Sequence, residues 1–261
     1  MQHNYFHLGM SKTASTYLQV YVFPNIPEIK FIRKHNYHLY KTDEPEGKKL
    51  LFSNEKDRNI KKEIAEIKEY RPDSKIIIVF REHFDWVKSK YKYYIRKFGH
   101  RKFSSYYNEV LIPELGMHEM YYSDIIKTLN EAFPNRCLFL TYKMFKKEPD
   151  LFYSKLHSFL GTETNTEYAK KVVKPAFSNR QLFFIRRFNR IYKYKPSKHP
   201  SRFARKVHYK YREFLLHIIG FFSKFIPSGH RSVDKELNEE KEKIRNRFRE
   251  DWQKVEEYAY Q

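Results

Sequence analysis

The sequence predicts an α/β fold of packed layers around a mainly parallel sheet. Three observations predict it: the unbroken apolar run Lys75–Phe80 (KIIIVF), the order strand, loop, helix over the first 23 residues, and the alternation of further strands with helical patterns up to Leu160. A β-branched run without polar interruption suits a strand covered on both faces, and alternating strands and helices return parallel strands to one sheet.

Taken in order, Tyr5–Leu8 is a short apolar strand that ends at Gly9, and Ser15–Phe23 has helical spacing that stops before Pro24. Ile29–Ile32 and Leu50–Phe52 are further short strands. In Asn59–Tyr70 the residues Ile60, Ile64 and Ile67 fall on one helical face, and Arg71-Pro72-Asp73 turns the chain into the Lys75–Phe80 strand. A helix over about 85–97, a helix over about 123–133, a strand at Cys137–Tyr142 and a helix at Leu151–Leu160 follow. The closing segment Val233–Tyr260 spaces Leu237, Ile244, Phe248, Trp252 and Val255 as one amphipathic helix.

At 261 residues the chain is expected to form a single domain, 1–261, with an α/β core over 1–165 and a helical, basic extension over 166–261. Lys and Arg number 52 against 31 Asp and Glu, a net charge of +21 that favours polyanionic partners: nucleic acid, acidic lipid, acidic glycan or a multiply phosphorylated nucleotide. Cys137 is the only cysteine, so no internal disulfide staples the fold. Residues 1–9 carry no basic segment followed by an apolar run, so a cytoplasmic protein is expected. The longest apolar stretch, Phe214–Ile226, is interrupted by His217, Gly220 and Lys224, and suits lying on a membrane rather than crossing one.

The first motif with chemical content is Leu8-Gly9-Met10-Ser11-Lys12-Thr13-Ala14-Ser15-Thr16-Tyr17, between a strand and a helix. Backbone N–H groups and the helix dipole favour an anion there. The lysine precedes the hydroxyl residues and no glycine stands beside it, so the segment is not a Walker A loop. Alone, it reads equally as a solvated helix start with Ser/Thr capping.

The second motif is Arg81 at the carboxyl end of the KIIIVF strand, with Ser89 eight residues later in the following helix. A guanidinium and a hydroxyl at the carboxyl edge of a parallel sheet can clamp a phosphate.

Together these segments resemble the PAPS-dependent sulfotransferases, enzymes that use 3'-phosphoadenosine 5'-phosphosulfate. Lys12, Thr13, Ser15 and Thr16 match the family's 5'-phosphosulfate loop, with Ala14 where a glycine is usual. Arg81 and Ser89 match its 3'-phosphate clamp in type and spacing, and Thr141–Phe145 and Phe159-Leu160-Gly161 match a later strand and helix end. The resemblance spans about residues 5–161. It implies a P-loop-like three-layer domain that binds PAPS through Gly9, Ser11, Lys12, Thr13, Ala14, Ser15, Thr16, Tyr17, Arg81 and Ser89, and leaves adenosine 3',5'-bisphosphate as product. It also implies sulfuryl transfer to a hydroxyl or amine of an acceptor, with a bacterial-type carbohydrate sulfotransferase as the expected kind and a glycan or glycolipid as acceptor.

In such a transfer charge builds on the leaving oxygen, and Lys12 is the candidate cation for it. The acceptor must also lose a proton. Glu55, after the Leu50–Phe52 strand, and Glu28, before the Ile29–Ile32 strand, are the two candidate bases, each placed like a base in relatives of the family. Both also read as ordinary surface carboxylates. His35 and His38 find no further ligands, and no metal is expected.

From Tyr168 to Arg212 there is no acidic residue, and 181–195 interleaves aromatic with basic side chains. Within the family reading this region lines an acceptor groove without contacting nucleic acid, or makes peripheral membrane contact over 181–226 at the inner face of the membrane. Two rival readings remain: a non-enzymatic protein binding nucleic acid or an anionic membrane through the 170–212 stripe, and a P-loop-like kinase. The kinase lacks a Mg²⁺-holding acid after a strand.

Overall fold

The computed structural model describes residues 4–41, 49–164, 168, 177–192, 201–223, 225 and 233–261, without the side chains of 34 and 35. His35 and the parts of the 170–212 and 181–226 segments outside those ranges are therefore not described. Two compact units are present: Met1–Trp86, Leu115–Val173 and Arg247–Gln261 form the first, and Val87–Glu114 with Lys174–Asn246 form the second. Each unit draws on separate stretches of the chain, and within the first the last helix packs on a strand and a helix of the α/β core.

The first unit holds a five-stranded sheet of β1 (Tyr5–Gly9), β2 (Ile29–Ile32), β3 (Lys49–Glu55), β4 (Lys75–Phe80) and β5 (Cys137–Thr141), in the order β2-β3-β1-β4-β5. Every neighbouring pair is parallel. β4 is buried on both faces, as its uninterrupted apolar sequence requires. Ile77 and Val79 join Tyr5, Leu51 and Leu140 on one face, under Leu18, Val22, Phe23, Phe152, Leu156 and Leu160. Successive side chains alternate across a strand, so Ile76, Ile78 and Phe80 face the other layer. There Phe80 packs on Tyr122, and Phe6 stacks on Phe52 beside Tyr40.

The helix expected over 15–23 begins at Ser15 but widens to a π-helix at Leu18–Val22 and tightens into a 3₁₀ turn at Phe23–Asn25. Pro24 does not end the helical path, because it lies in the first turn of that 3₁₀ segment, where a missing N–H goes unnoticed. β3 starts one residue before the expected strand and runs three residues beyond Phe52, so that Glu55 is its last residue.

The closing segment is two helices, Asp234–Arg247 and Arg249–Tyr260, not one. At the break, Phe248 lies flat on His83 with ring centroids 4.3 Å apart and 2° between planes. One turn later Asp251 accepts from the Tyr122 and Ser123 N–H groups at 2.9 Å each, and its Oδ2 lies 3.2 Å from His83 Nε2. A carboxylate distant in sequence thereby caps the Tyr122–Ala132 helix, whose own residues supply no side-chain cap.

The second unit is helical among its described residues and is organised by buried arginines. Arg186 grips Glu236 through two bonds of 2.6 and 2.7 Å and donates to the Tyr91 hydroxyl at 2.8 Å. Arg212 is 2% exposed, donates to the Arg96 carbonyl and to Asn189 Oδ1, and lies 3.9 Å from the centre of the Phe98 ring. Asn189 in turn donates to the Ile95 and Gly99 carbonyls at 2.7 and 2.8 Å. Two arginines of the acid-free stretch are thus internal structure, unavailable to an external polyanion.

Candidate active site at the carboxyl edge of the sheet

β1, β3, β4 and β5 all end at the same edge of the sheet. The chain leaves β1 for β2, beyond β3, but leaves β4 for β5 on the opposite side. The carboxyl ends of β1 and β4 therefore flank a topological switch point, the place where open parallel sheets form a crevice. The loop 10–14 rises from β1 there, and Arg81 follows β4 directly.

Gly9 is required by close approach rather than by its dihedrals. A Cβ there would meet His7 Cε1 and Ser15 Oγ at 3.0 Å and the Asn54 carbonyl at 3.1 Å. Beyond it the chain folds into a tight loop with Lys12 at φ 69° and Ala14 at φ 71°, both left-handed. Ala14 thus stands at a position whose backbone favours glycine, at a cost of about 1–2 kcal/mol for a residue with a Cβ.

The loop is held from inside by its own hydroxyls. Thr13 Oγ1 and Ser15 Oγ both donate to the Met10 carbonyl, at 2.6 and 2.7 Å, and both residues are buried. From outside, Asp57 accepts the Ser11 N–H at 2.8 Å and the Ser11 hydroxyl at 2.7 Å. The Trp86 indole N–H donates to the Ser11 carbonyl at 2.8 Å, and Arg81 Nη1 donates to the Lys12 carbonyl at 3.0 Å. In a trans peptide the N–H opposes the C=O, so fixing these two carbonyls turns the Lys12 and Thr13 N–H groups the other way. Such a run of oriented amides is an anion cradle.

Arg81 also lies 4.4 Å from the centre of the Tyr142 ring, just past the end of β5. Its Nε is buried without a hydrogen-bond partner among the described residues. An oriented, partly satisfied guanidinium is suited to a further anionic acceptor. Beneath the loop, burial pushes His7 down to about 3, so the ring is neutral, with Nδ1 2.8 Å from Ser53 Oγ.

The structure brings Glu55 to this edge. It pairs in register with Gly9 and accepts from Thr16 Oγ1 at 3.3 Å. Glu28 does not join it. Glu28 directly precedes β2, whose first residue Ile29 pairs with Lys49, the first residue of β3. Six positions at about 3.3 Å each separate Lys49 from Glu55, which places Glu28 toward the amino edge of the sheet. Ser15, expected to donate to the ligand, instead spends its hydroxyl on Met10. Thr16 is exposed and Tyr17 half-buried. Ser89 lies on the His83–Arg96 helix, beyond Trp86, and falls in the second unit.

Sequence reasoning missed Asp57, Trp86 and Tyr142 as parts of the site. Asp57 and Trp86 lie just outside the motifs that drew attention, and Tyr142 was noted only as part of a segment. Their roles arise from contacts over 46, 75 and 61 positions, for which spacing gives no sign.

Compared with known proteins, residues 11–166 match the model of the Sulfotransferase family. The chain is similar to the solved sulfotransferase from Alicyclobacillus acidocaldarius, with a TM-score of 0.52 and 16% identity over 67% of this chain and 87% of that one, a likeness of fold. Mouse sulfotransferase SULT7A1 complexed with PAP superposes with a TM-score of 0.45 and 16% identity, over 63% of this chain and 60% of that one. No curated protein gives a significant match. With the loop from Ser11, the β4 strand and its arginine all inside a match that covers more than half of its length, this chain belongs to the sulfotransferase family.

Proposed function

We propose that the enzyme transfers a sulfuryl group from PAPS to a hydroxyl of an acceptor, with the loop 10–14 taking the 5'-phosphosulfate and Arg81 taking the 3'-phosphate. The observation that carries this reading is the Arg81 guanidinium, bonded to the Lys12 carbonyl while its buried Nε has no hydrogen-bond partner among the described residues. One side chain is thereby tied to the loop and still offers a donor to a second anion. The fit of the loop itself rests on Gly9, where a Cβ would intrude, and on the oriented amides after Ser11 and Lys12.

PAPS supplies an activated sulfuryl group on a phosphate leaving group. Transfer forms the acceptor O–S bond and breaks the bridging S–O bond, whose electron pair leaves with adenosine 3',5'-bisphosphate. Lys12 offsets the charge that builds on that bridging oxygen. Glu55 receives the proton lost by the acceptor hydroxyl; its position at the end of β3, hydrogen-bonded to Thr16, supports that role. Ser89 is assigned to the 3'-phosphate with Arg81 from its spacing in the sequence.

For the acceptor we infer a carbohydrate, supported by the net charge of +21, which attracts acidic glycans, and a glycolipid satisfies the same chemistry.

The test is calorimetric titration of adenosine 3',5'-bisphosphate into the wild type and Arg81→Ala, without added metal. Micromolar binding that weakens at least tenfold in the variant supports the assignment. Absence of wild-type binding overturns it.

A further inference from the structure

The Arg202–Phe222 helix of the second unit exposes a continuous apolar face. Phe203, Val207, Tyr211, Phe214, Phe221 and Phe222, with Phe225 just beyond, range from 50% exposed at Val207 to 78% at Phe203. At 100° per residue these positions fall within an arc of about 100°. The buried residues of the same helix, Arg212, Leu216 and Gly220, lie on the opposite side. The helix therefore packs with one face and presents large aromatic side chains on the other. A soluble surface rarely carries so many contiguous ones without an occupant.

The charge beside this face identifies the occupant. Lys206 and Lys210 are exposed and fall along one flank of the arc, and Arg202 is exposed at the start of the helix. The only acidic residue of the helix is Glu213, and Arg96 engages it at 2.7 Å. A second copy of the chain would bring a net charge of +21 against the same charge, which opposes self-association there. An anionic bilayer satisfies both features at once: aromatic side chains enter the boundary between headgroups and acyl chains while the flanking cations stay among the headgroups. Among the described residues no helix is long and apolar enough to cross a membrane, which fits a helix lying in the interface plane.

We infer that the Arg202–Phe222 helix docks the protein on an anionic lipid surface through Phe203, Phe214, Phe221 and their neighbours, with Lys206 and Lys210 meeting the headgroups. This inference stands independently of the PAPS assignment.

The experiment is co-sedimentation of the full chain with vesicles of phosphatidylcholine containing 30% phosphatidylglycerol, and with pure phosphatidylcholine vesicles. Binding to the anionic vesicles alone, weakened by added salt, is expected. A Phe203→Ser/Phe214→Ser/Phe221→Ser variant should lose binding by at least about a hundredfold, and Lys206→Glu/Lys210→Glu by at least about tenfold. The substituted side chains are exposed, and unchanged circular dichroism and melting temperature confirm that the variants fold. Equal binding to both vesicle types, no binding to either, or undiminished binding by the triple variant overturns the inference. So does a concentration-dependent dimer in sedimentation velocity that the triple variant abolishes, which would give the face to a second copy.

Discussion

The Arg81 guanidinium donates to the Lys12 carbonyl oxygen at 3.0 Å while stacked 4.4 Å from the centre of the Tyr142 ring. One side chain thus joins the loop after β1 to the carboxyl ends of β4 and β5. Removing its charge and removing its planar fork are therefore different changes.

Arg81→Ala is expected to weaken adenosine 3',5'-bisphosphate binding by roughly 10- to 100-fold, the size of a lost hydrogen bond to a charged group. Arg81→Lys keeps the charge but loses the fork and the stacking, so recovery should be partial. Calorimetric titration of both variants checks this, and full recovery by lysine would show that charge alone matters.

Glu55→Gln is expected to lower kcat by about 10²- to 10⁴-fold, the usual worth of a positioned base, while nucleotide affinity changes little. Turnover measured with a sulfuryl acceptor, alongside the titration above, separates the two. A variant with wild-type turnover removes Glu55 from the proton transfer.

Ala14 at φ 71° predicts an unusual gain from glycine. Ala14→Gly relieves left-handed strain but adds freedom to the unfolded chain, leaving a net stabilisation of about 0.5–1 kcal/mol. Thermal unfolding should show a rise of about 1–4 °C, and Ala14→Val a fall.

Asp251 is expected to make the protein acid-sensitive. Burial alone raises its carboxyl value, but bonds from His83, from the Ser123 side chain and from the Tyr122 and Ser123 amides outweigh it and hold the carboxyl below the usual range. A depressed folded value means the contribution is complete above the unfolded value near 4 and is lost as pH falls through the folded one. Asp251→Asn should cost about 1–3 kcal/mol at pH 7 and flatten stability between about pH 5 and 3, as followed by urea unfolding.

Arg186 and Glu236 form a pair that is costlier to split than to replace. Arg186→Met leaves the Glu236 carboxylate and the Tyr91 hydroxyl without their donor, a loss of about 2–3 kcal/mol. Adding Glu236→Leu should return much of it, as a double-mutant cycle in urea would show.

The legibility of the fold differed between elements for physical reasons. The Lys75–Phe80 run reads as a strand covered on both faces from its unbroken β-branched composition, and Asn59–Tyr70 as a helix with one buried face from the spacing of its isoleucines; both signals are local. The break at Phe248 was not legible, because Phe248 and Asp251 obey the helical pattern and their partners His83 and Tyr122 lie more than a hundred positions away. Nor was the burial of Arg186 and Arg212, since an arginine reads as solvated until its partners are known.

By itself the sequence determined the parallel α/β layers and the loop between β1 and the first helix, because strand burial and strand-end placement follow from local pattern, while only the family resemblance joined that loop to Arg81 in one site. Tertiary structure decided which hydroxyls hold the loop, that Ala14 carries left-handed strain, that Glu55 and not Glu28 reaches the loop, and which aromatic face of the 202–222 helix is left uncovered. Each of those depends on register or on packing between distant segments, and neither is encoded in the spacing of any single stretch of chain.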